Sequence, residues 1–331
     1  MAEERLPVAV LTGFLGSGKT TLLRRALAGG AWAETAVLIN ELGEIGLDHY
    51  LVDTIAGPVL ALPGGCLCCA IREDLALSLR HLLERRDAGL LPPFRRVAIE
   101  TTGLADPAPI LFTLGADPLL EARLRLGRVI ATVDAVSGAP TLARYVEAAR
   151  QAAVADRLVL TKTDLAPAGA ELQAMLAALN PAAAASLIAA SEDGGAVLFG
   201  AVPAARPAPP SAASGRHTHG IASHALWLRG PCSRLDFALA LGGLARERGE
   251  ALLRVKGIIG FSDRPNRPAF VQGAQHALYP PIWLDDWPEG ERLSRLQFIV
   301  DGIAREDILA RFAFAAAVPA DALPAMERPD A

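Results

Sequence analysis

The sequence predicts an α/β protein in which a mostly parallel sheet, covered by helices on both faces, is followed by a smaller α+β domain. Strand-length apolar runs alternate with helix-length segments from residue 6 to about residue 190, and such alternation is typical of a parallel sheet. A stretch rich in Pro, Ala and Ser at 201–215 then interrupts the pattern and indicates a linker. Beyond it, strand-like and helix-like segments resume in an order that indicates a second sheet.

These runs give the individual elements. The predicted strands of the first domain lie at 7–11, 36–39, 59–62, 96–99, 129–133, 158–160 and 185–188, and its helices include 75–86, 142–155 and 170–179. The predicted strands of the second domain lie at 225–228, 252–261, 269–273 and 295–300, and its helices at 235–248 and 305–311. We therefore divide the chain into a first domain at 1–200, a linker at 201–220, a second domain at 221–316 and a frayed tail at 317–331.

The composition indicates about two globular domains and argues against several kinds of partner. The chain has 331 residues, of which 52% are hydrophobic and 21% are charged, so it can bury a sizeable core. A formal net charge of −4 and a pI near 5.9 offer no basic surface for nucleic acid or an anionic membrane. The acidic N-terminus does not resemble a signal peptide, and no run of 18 apolar residues offers a membrane span, so we predict a cytoplasmic protein.

The first predicted strand runs directly into GFLGSGKT, which matches the phosphate-binding pattern GxxxxGK[ST] and leads into a helix. Gly13, Gly16 and Gly18 permit positive φ and a close approach of backbone N–H groups to an anion. Lys19 is predicted to reach the β- and γ-phosphates of a nucleotide, and the Thr20 hydroxyl to hold Mg²⁺. The alternative is a glycine-rich turn without a ligand. The match predicts a P-loop NTPase domain.

A second motif, ETTG, follows the strand at 96–99. It places Glu100 at a strand end, where the carboxylate would position water on Mg²⁺, and it places Gly103 where an N–H group would meet the γ-phosphate. The alternative interpretation is an acidic residue that caps the following turn.

A third motif, TKTD, follows the strand at 158–160 and resembles the guanine-recognition motif Asn-Lys-x-Asp of G proteins. In that motif the carboxylate accepts hydrogen bonds from guanine N1–H and the 2-amino group, which adenine lacks, so Asp164 favours GTP over ATP. Thr161 replaces the Asn, which weakens the outer contact. Only three of the 32 basic residues are lysines, and two of these three, Lys19 and Lys162, lie in the phosphate-binding and TKTD motifs. The alternative is a polar turn with Asp164 as the helix N-cap.

Three of the four cysteines, Cys66, Cys68 and Cys69, lie within four residues. In a reduced compartment such a cluster indicates metal binding or redox chemistry rather than a disulfide framework. Three thiolates suit Zn²⁺, Cu(I) or Co²⁺ and leave an open ligand position, as suits an ion that is handed on. Buried inert cysteines and a redox pair of Cys66 with Cys69 are the alternatives. Cys232 stands alone and is predicted to be a structural thiol.

Two further segments carry candidate ligands. NELGEIGLD, at 40–48, is a candidate nucleotide-sensing switch in which Glu41 or Glu44 would complete the metal site, and a solvated acidic loop is the alternative. His217 and His219 are too few to indicate a histidine-rich metal tract, so we favour an ordinary polar segment there.

The set GFLGSGKTT, NELGEIGLD, GGCLCC, ETTGLADP, TKTD, RVKGIIGF and VQGAQH resembles the CobW-type metallochaperone GTPases, SIMIBI-class relatives of the urease and hydrogenase nickel-insertion GTPases. The resemblance covers nearly the whole chain. It implies a GTPase that uses GTP and Mg²⁺ and delivers a divalent metal, most often Zn²⁺ and alternatively Co²⁺, to a client metalloprotein. It is also compatible with a homodimer.

Other functions stay open at this stage. One is a cobalt chaperone GTPase in cobalamin biosynthesis, and another is a metal buffer or sensor in which the nucleotide only sets metal affinity. An ATP-dependent kinase is disfavoured by Asp164 and by the lack of a recognisable acceptor site. The motifs do not identify the client.

The motifs and the resemblance together assign the site residues. The predicted catalytic residues are Lys19, Thr20 and Glu100. The predicted nucleotide ligands are Gly13, Gly16, Ser17, Gly18, Lys19, Thr20, Thr21, Gly103, Thr161, Lys162 and Asp164. The predicted metal ligands are Cys66, Cys68, Cys69 and Glu41 for the delivered ion and Thr20 for Mg²⁺.

Overall fold

The structure of the chain, a computed structural model, describes residues 5–28, 34–40, 59–62, 68–184, 188–189, 194–199, 218–230, 232–287 and 293–319. The chain divides into two units, one formed by Met1–Ala177 with Ala183–Val202 and the other by Ala178–Ala182 with Pro203–Ala331. The predicted linker up to residue 217, the tail beyond 319 and the segments around Glu41 and Cys66 lie outside the described residues.

The first unit is built on a parallel sheet. Its strands are β1 (Leu6–Gly13), β2 (Thr35–Asn40), β3 (Val59–Leu62), β4 (Arg96–Glu100), β5 (Leu124–Asp134), β6 (Arg157–Thr161) and β7 (Ile188–Ala189). They lie in the order β3-β2-β4-β1-β5-β6-β7, and each neighbouring pair is parallel. In β1, Val8 to Leu11 are at most 1% exposed, as expected for a strand buried on both faces. The predicted α/β fold is confirmed.

The helices that accompany this sheet bury apolar faces against it. They are α1 (Lys19–Ala28), α2 (Cys68–Asp87), α3 (Ala108–Ala116), α4 (Pro118–Arg123), α5 (Gly138–Arg144), α6 (Val146–Val154), α7 (Ala170–Leu179), α8 (Pro181–Ala184) and α9 (Gly194–Phe199). In α1, Leu22, Leu23 and Ala26 recur at helical spacing and join the core around Leu11 of β1. Among the helices that the structure describes, none combines the length and apolar character needed to cross a membrane.

The helix predicted at 142–155 is in fact two helices, α5 and α6. Tyr145, which separates them, has an extended backbone with φ −116° and ψ 118°. Its ring stacks on Phe14, with 4.6 Å between the ring centroids. A long-range aromatic contact therefore accompanies a break that the local sequence does not reveal.

Helices α3 and α4 were not among the predicted elements, and prolines lie at or next to the start of each, at 107, 109 and 118. The Asp106 carboxylate accepts a hydrogen bond from the Ala108 amide at 2.9 Å, and the Asp117 carboxylate accepts one from the Leu119 amide at 3.0 Å. Proline in a first helical turn removes no intrahelical hydrogen bond. The two aspartates and the prolines therefore start the helices rather than end them.

The second unit is built on an antiparallel sheet. Its strands are β8 (Ile221–Leu228), β9 (Leu252–Phe261), β10 (Arg264–Ala274), β11 (Ala277–Leu278), β12 (Ile282–Trp283), β13 (Ser294–Asp301) and β14 (Ala317–Pro319), and its helices are α10 (Arg234–Arg248) and α11 (Arg305–Arg311). The strand order is β11-β10-β9-β13-β8-β14, with β12 beside β10. Phe237, Phe298 and Phe312 pack together in its core. The frayed tail predicted from 317 is wrong at 317–319, because β14 pairs with β8.

Candidate active site

The strand order brings the predicted motifs to one edge of the first sheet. Strands β4, β1, β5 and β6 are consecutive neighbours. Gly13 lies opposite Thr132, Asp134 lies opposite Thr161, and Glu100 ends β4. The carboxyl ends of these four parallel strands therefore form one surface, which is where open α/β sheets bind ligands.

The loop from β1 to α1 is shaped by its glycines. Gly13, Gly16 and Gly18 have φ angles of 139°, 68° and 92°. Position 13 also has no room for a side chain, since a Cβ there would lie 2.3 Å from Thr132 Oγ1 and 2.7 Å from Ser17 Oγ. Around Gly16, by contrast, nothing lies within 4 Å of a Cβ. Glycine at position 13 is thus required by both the backbone conformation and the packing.

Three buried hydroxyl groups join this loop to β5 and β6. Ser17 Oγ and Thr132 Oγ1 form a hydrogen bond of 2.6 Å. The Thr161 hydroxyl donates to the Ser17 carbonyl oxygen, also at 2.6 Å. The hydroxyl of Thr161, which the sequence analysis assigned to guanine recognition, thus holds the phosphate loop, a role that the sequence analysis did not predict.

The Lys19 ammonium lies against the loop itself. Its Nζ donates to the carbonyl oxygens of Gly13 at 2.9 Å and Phe14 at 3.1 Å, and the residue is 9% exposed. A charged group tolerates this burial because the carbonyl oxygens replace water as acceptors. The loop therefore holds a fixed positive charge next to amides at a helix N-terminus, an arrangement suited to an anion.

The next residue connects the loop to β4. The Thr20 hydroxyl donates to Glu100 Oε1 at 2.7 Å, and Glu100 is only 4% exposed. The end of β4 is fixed to β1 by Thr101, whose amide donates to the Leu11 carbonyl oxygen at 2.9 Å. A hydroxyl and a carboxylate are the hard oxygen ligands that Mg²⁺ prefers. The residues present therefore fit a Mg²⁺ ion.

The loop that follows β4 touches the phosphate loop at Gly103. A Cβ on Gly103 would lie 2.7 Å from both the amide nitrogen and the Cα of Leu15. Only glycine permits two backbones to approach so closely. A displacement of either loop must therefore move the other loop or break their contact.

At the end of β6, Lys162 pairs with a residue of β5. Lys162 has φ 56°, and its ammonium lies 2.6 Å from Asp134 Oδ2. Asp134 also accepts hydrogen bonds from the Ser137 hydroxyl and the Val136 amide, both at 2.8 Å. Burial raises the pKa of Asp134, but the hydrogen bonds from Lys162, Ser137 and the backbone outweigh burial and hold that pKa below its ordinary value. Asp164, two residues further on, is exposed.

Asp134 and Thr132 are site residues that the sequence analysis missed. Asp134 follows the apolar strand predicted at 129–133 as Glu100 follows the one at 96–99, so the same strand-end signal was present. Thr132 gave no signal, because its partner Ser17 is 115 residues away in the chain.

The predicted cysteine site is only partly within the described residues. Cys66 and Glu41 lie outside them, and Cys68 and Cys69 form the first turn of α2, where the structure does not describe their side chains. Within the described ranges, no group of three or more His, Cys, Asp or Glu side chains could hold a metal ion.

The other candidate ligands lie in the second unit. His217 is outside the described residues, His219 is exposed, and His224 Nε2 donates to the Ile303 carbonyl oxygen at 3.2 Å. Cys232 is 4% exposed, and burial raises the pKa of its thiol to about 11. A thiol that stays protonated at neutral pH is unreactive, in keeping with a structural role.

Two family models match the chain. The model described as the CobW/HypB/UreG nucleotide-binding domain matches residues 7–186, and that of the cobalamin synthesis protein CobW C-terminal domain matches residues 221–316.

Individual proteins give the same result. The zinc chaperone YjiA of Escherichia coli is 34% identical over 316 residues, which are 93% of this chain and 98% of YjiA. The zinc-regulated GTPase metalloprotein activator 1 of Schizosaccharomyces pombe is 34% identical over 167 residues, or 48% of this chain and 39% of that protein. The crystal structure of Zn(II)-bound YjiA GTPase from E. coli has a TM-score of 0.67 at 28% identity, covering 95% of this chain and 99% of that chain. The predicted resemblance is confirmed, and the chain belongs to the CobW/HypB/UreG family.

Proposed function

We propose that this protein hydrolyses GTP to GDP and phosphate and uses this cycle to bind zinc and pass it to client proteins. The observation that carries the proposal is the arrangement at the sheet edge, where Lys19 is held in the glycine loop and Thr20 is hydrogen-bonded to the buried Glu100. Membership of a nucleotide-binding family supports the same conclusion.

In this proposal the phosphate chain lies along residues 13–20. Amides of the loop hold the phosphate oxygens, and Lys19 offsets the charge that develops on the transferred group. Thr20 and Glu100 would hold Mg²⁺, which when bound neutralises charge on the β- and γ-phosphates. Gly103 would present its amide to the γ-phosphate, since it already contacts the phosphate loop at Leu15.

The base would be recognised at the end of β6. We assign guanine recognition to Asp164, because an exposed carboxylate can accept from two guanine donors that adenine lacks. Lys162, held by Asp134, fixes the turn that presents Asp164.

We assign the delivered metal to Cys66, Cys68 and Cys69, with Glu41 as a further ligand. Thiolates are soft ligands that suit zinc and leave a position open for transfer. Full-length similarity to a protein named a zinc chaperone favours zinc over cobalt. The client, a cytoplasmic location and a homodimer remain parts of the same proposal.

We keep the division of the chain made from its sequence. The GTPase domain with its cysteine motif is assigned to residues 1–200, the linker to 201–220 and the second domain to 221–316.

Metal-dependent GTP turnover tests the proposal. Phosphate release is measured with and without zinc, and zinc is titrated in the presence of GDP and of a non-hydrolysable GTP analogue. The two zinc affinities should differ by about 5- to 150-fold, the usual range of coupling between two sites. A variant with Cys66→Ser, Cys68→Ser and Cys69→Ser should bind GTP normally and lose this dependence on nucleotide.

The possible outcomes distinguish between the hypotheses for the function. Absence of GTP hydrolysis would refute the proposed GTPase activity. Hydrolysis with equal zinc affinities in both nucleotide states would indicate a GTPase that does not couple hydrolysis to metal transfer. Zinc binding that depends on nucleotide while turnover ignores zinc would favour the metal buffer or sensor.

A further inference from the structure

Helix α6 carries a buried glutamine that holds the loop after β4. Gln151 Nε2 donates to the carbonyl oxygens of Gly103 at 3.1 Å and Ala105 at 2.9 Å. Both amide hydrogens of this side chain are thus used on a single short loop. The side chain bridges 48 residues of sequence to Gly103 and 46 to Ala105.

The burial of Gln151 indicates that these two contacts are the reason for an amide at this position. The residue is 1% exposed, and its Oε1 has no hydrogen-bond partner among the described residues. A buried polar atom without a partner is destabilising, and an apolar side chain of similar size would avoid that cost. The two hydrogen bonds that Gln151 Nε2 donates to the loop after β4 offset the cost of burying its unpaired oxygen.

The residue that leads into this helix also reaches the phosphate loop. Tyr145, which precedes α6, stacks on Phe14, and Arg150 pairs with Asp106 at 3.2 Å. Gln151 and Phe14 line a common cavity of about 30 Å³, so the amide lies close behind the loop. Helix α6 and the residue that precedes it therefore contact both loops that are proposed to face the γ-phosphate.

The loop after β4 holds one carbonyl group by local contacts, that of Thr102, which accepts from the Thr101 hydroxyl at 3.2 Å. Its internal turn is closed by a 3.2 Å hydrogen bond from the Ala105 amide to the Thr102 carbonyl oxygen. Gly103 has no side chain, and its backbone contacts Leu15 of the phosphate loop. The hydrogen bond that the Gly103 carbonyl oxygen accepts from Gln151 therefore orients the peptide group that joins Gly103 to Leu104.

We propose that Gln151 is a positioning residue that holds the loop carrying the Gly103 amide in the place where that amide would meet the γ-phosphate, and so lets the protein distinguish GTP from GDP. This inference rests on the proposed GTPase function and adds a residue to it. The Gly103 carbonyl shares its rigid peptide group with the Leu104 amide, so Gln151 fixes the Gly103–Leu104 peptide and the Ala105 carbonyl directly and holds the Gly103 amide in place through the loop that they form. Gln151 touches neither the substrate nor the ion in this proposal, and it acts through Gly103 and Ala105.

The test compares two variants with the same chemical change. Gln151→Met removes both donors and keeps the length of the side chain. Gln173→Met is the matched control, because Gln173 donates to the Ala168 carbonyl oxygen at 3.0 Å from an exposed position on α7. Dissociation constants are measured for GDP and for a non-hydrolysable GTP analogue, together with kcat, KM and a thermal melt.

Gln151→Met should bind the analogue about tenfold more weakly than wild type, the effect of losing one or two hydrogen bonds, and should bind GDP within about twofold. Gln173→Met should change neither constant. A merely structural role for Gln151 would lower the melting temperature and affect both nucleotides equally. An unchanged ratio of the two constants in folded Gln151→Met would therefore overturn the inference.

A second variant keeps the test decisive if Gln151→Met does not fold. Asp106→Asn weakens the pair with Arg150 while its amide oxygen can still cap α3, and it should lower analogue affinity by about twofold to threefold without affecting GDP. A wild-type protein that hydrolyses GTP, with an unaltered ratio in Asp106→Asn, would overturn this inference alone. A wild-type protein that binds neither nucleotide would overturn the proposed function as well.

Discussion

Three polar side chains of the proposed phosphate end are buried at the sheet edge, whereas the proposed base end leaves Lys162 and Asp164 open to solvent. We define the phosphate end as residues 13–20 with Glu100. Within it Ser17, Lys19 and Glu100 are 3%, 9% and 4% exposed, and each makes a hydrogen bond to another part of the sheet edge or loop. Its geometry is therefore set by the fold before any ligand arrives.

The base end, which we define as Asp134, Lys162 and Asp164, combines one buried residue, Asp134 at 8% exposed, with two residues that are more exposed. The side chain of Lys162 is 39% exposed, and Asp164 is exposed. The Asp134–Lys162 ion pair joins two neighbouring strand ends but leaves the Asp164 carboxylate towards solvent. An ion pair in which one partner is 39% exposed contributes only modestly to stability.

This difference predicts which property a substitution at each end of the site should change. At the phosphate end, a change at Ser17, Lys19 or Glu100 should alter turnover or stability strongly, because these buried groups cannot be replaced by water. At the base end, a change should alter the choice of nucleotide and leave stability nearly unaltered.

The largest expected effect is that of Lys19→Ala on turnover. Loss of the ammonium should reduce kcat by about 100- to 1000-fold, the usual cost of removing one group that stabilises the transition state. Phosphate release and a thermal melt would measure activity and folding in the same sample. Lys19→Arg is the control for charge alone, and it should also be impaired because a planar guanidinium does not fit a tight phosphate site. A folded Lys19→Ala protein with wild-type hydrolysis would contradict the assignment of the phosphate end.

Gly13→Ala should have the next largest effect, and on stability. The φ angle of 139° strains any side chain, and the new Cβ would meet Thr132 Oγ1 at 2.3 Å. Together these terms should lower the free energy of unfolding by about 2–4 kcal/mol. The matched control is Gly16→Ala, which has φ 68° and open space, and should cost about 1 kcal/mol. Chemical denaturation of both variants measures the difference, and equal losses would show that packing against Thr132 does not matter.

The sequence was sufficient to predict most of the fold and the backbone of this site. Apolar runs of strand length located several strands to within a few residues, as at 96–99 and 252–261, because a strand that is mostly buried leaves a nearly continuous apolar signal. The glycine loop was predicted because its chemistry is local: all its fixed residues lie within eight positions.

Contacts between distant segments could not be predicted in the same way. The glutamine on α6 gave no signal, since its partner Gly103 is 48 residues away and nothing about an isolated Gln marks it as buried. Thr161 was interpreted by its place in a motif, yet its hydroxyl binds the carbonyl of Ser17, 144 residues earlier. Such roles depend on strand order, which the sequence does not state directly.

Asp164→Ala should have a smaller effect, limited to selectivity. Loss of the carboxylate should weaken GTP binding by about 10- to 100-fold, as expected for one bidentate charge-assisted contact at an exposed site. ATP affinity should stay constant, because ATP uses only the phosphate end, and the thermal melt should be unaltered. Competition binding with both nucleotides measures this. Equal affinities of wild type for GTP and ATP would remove guanine recognition from the base end.

The smallest expected effect is that of Asp134→Asn on stability, and its pH dependence gives it a distinct signature. The pKa of Asp134 in the folded protein lies below its ordinary value, so the charged carboxylate contributes stability that is present above the unfolded-state pKa near 3.8 and is lost as pH falls through the folded-state value. Because Lys162 is 39% exposed, the loss at pH 7 should be only about 0.5–1 kcal/mol. Asparagine keeps the shape and can still accept from the Val136 amide, so the variant isolates the charge.

Unfolding free energies of wild type and Asp134→Asn, measured from pH 7 to pH 3, would show whether the ion pair has this role. The two curves should be separated at pH 7, stay parallel down to about pH 4 and converge below it as the wild-type carboxylate takes up a proton. Lys162→Met should reproduce the loss at pH 7, because it removes the other member of the pair. A gap between the curves that persists unchanged to pH 3 would mean that Asp134 acts through its hydrogen bonds to Ser137 and Val136 rather than through its charge. The base end would then be held by a neutral turn, and its contrast with the phosphate end would rest on exposure alone.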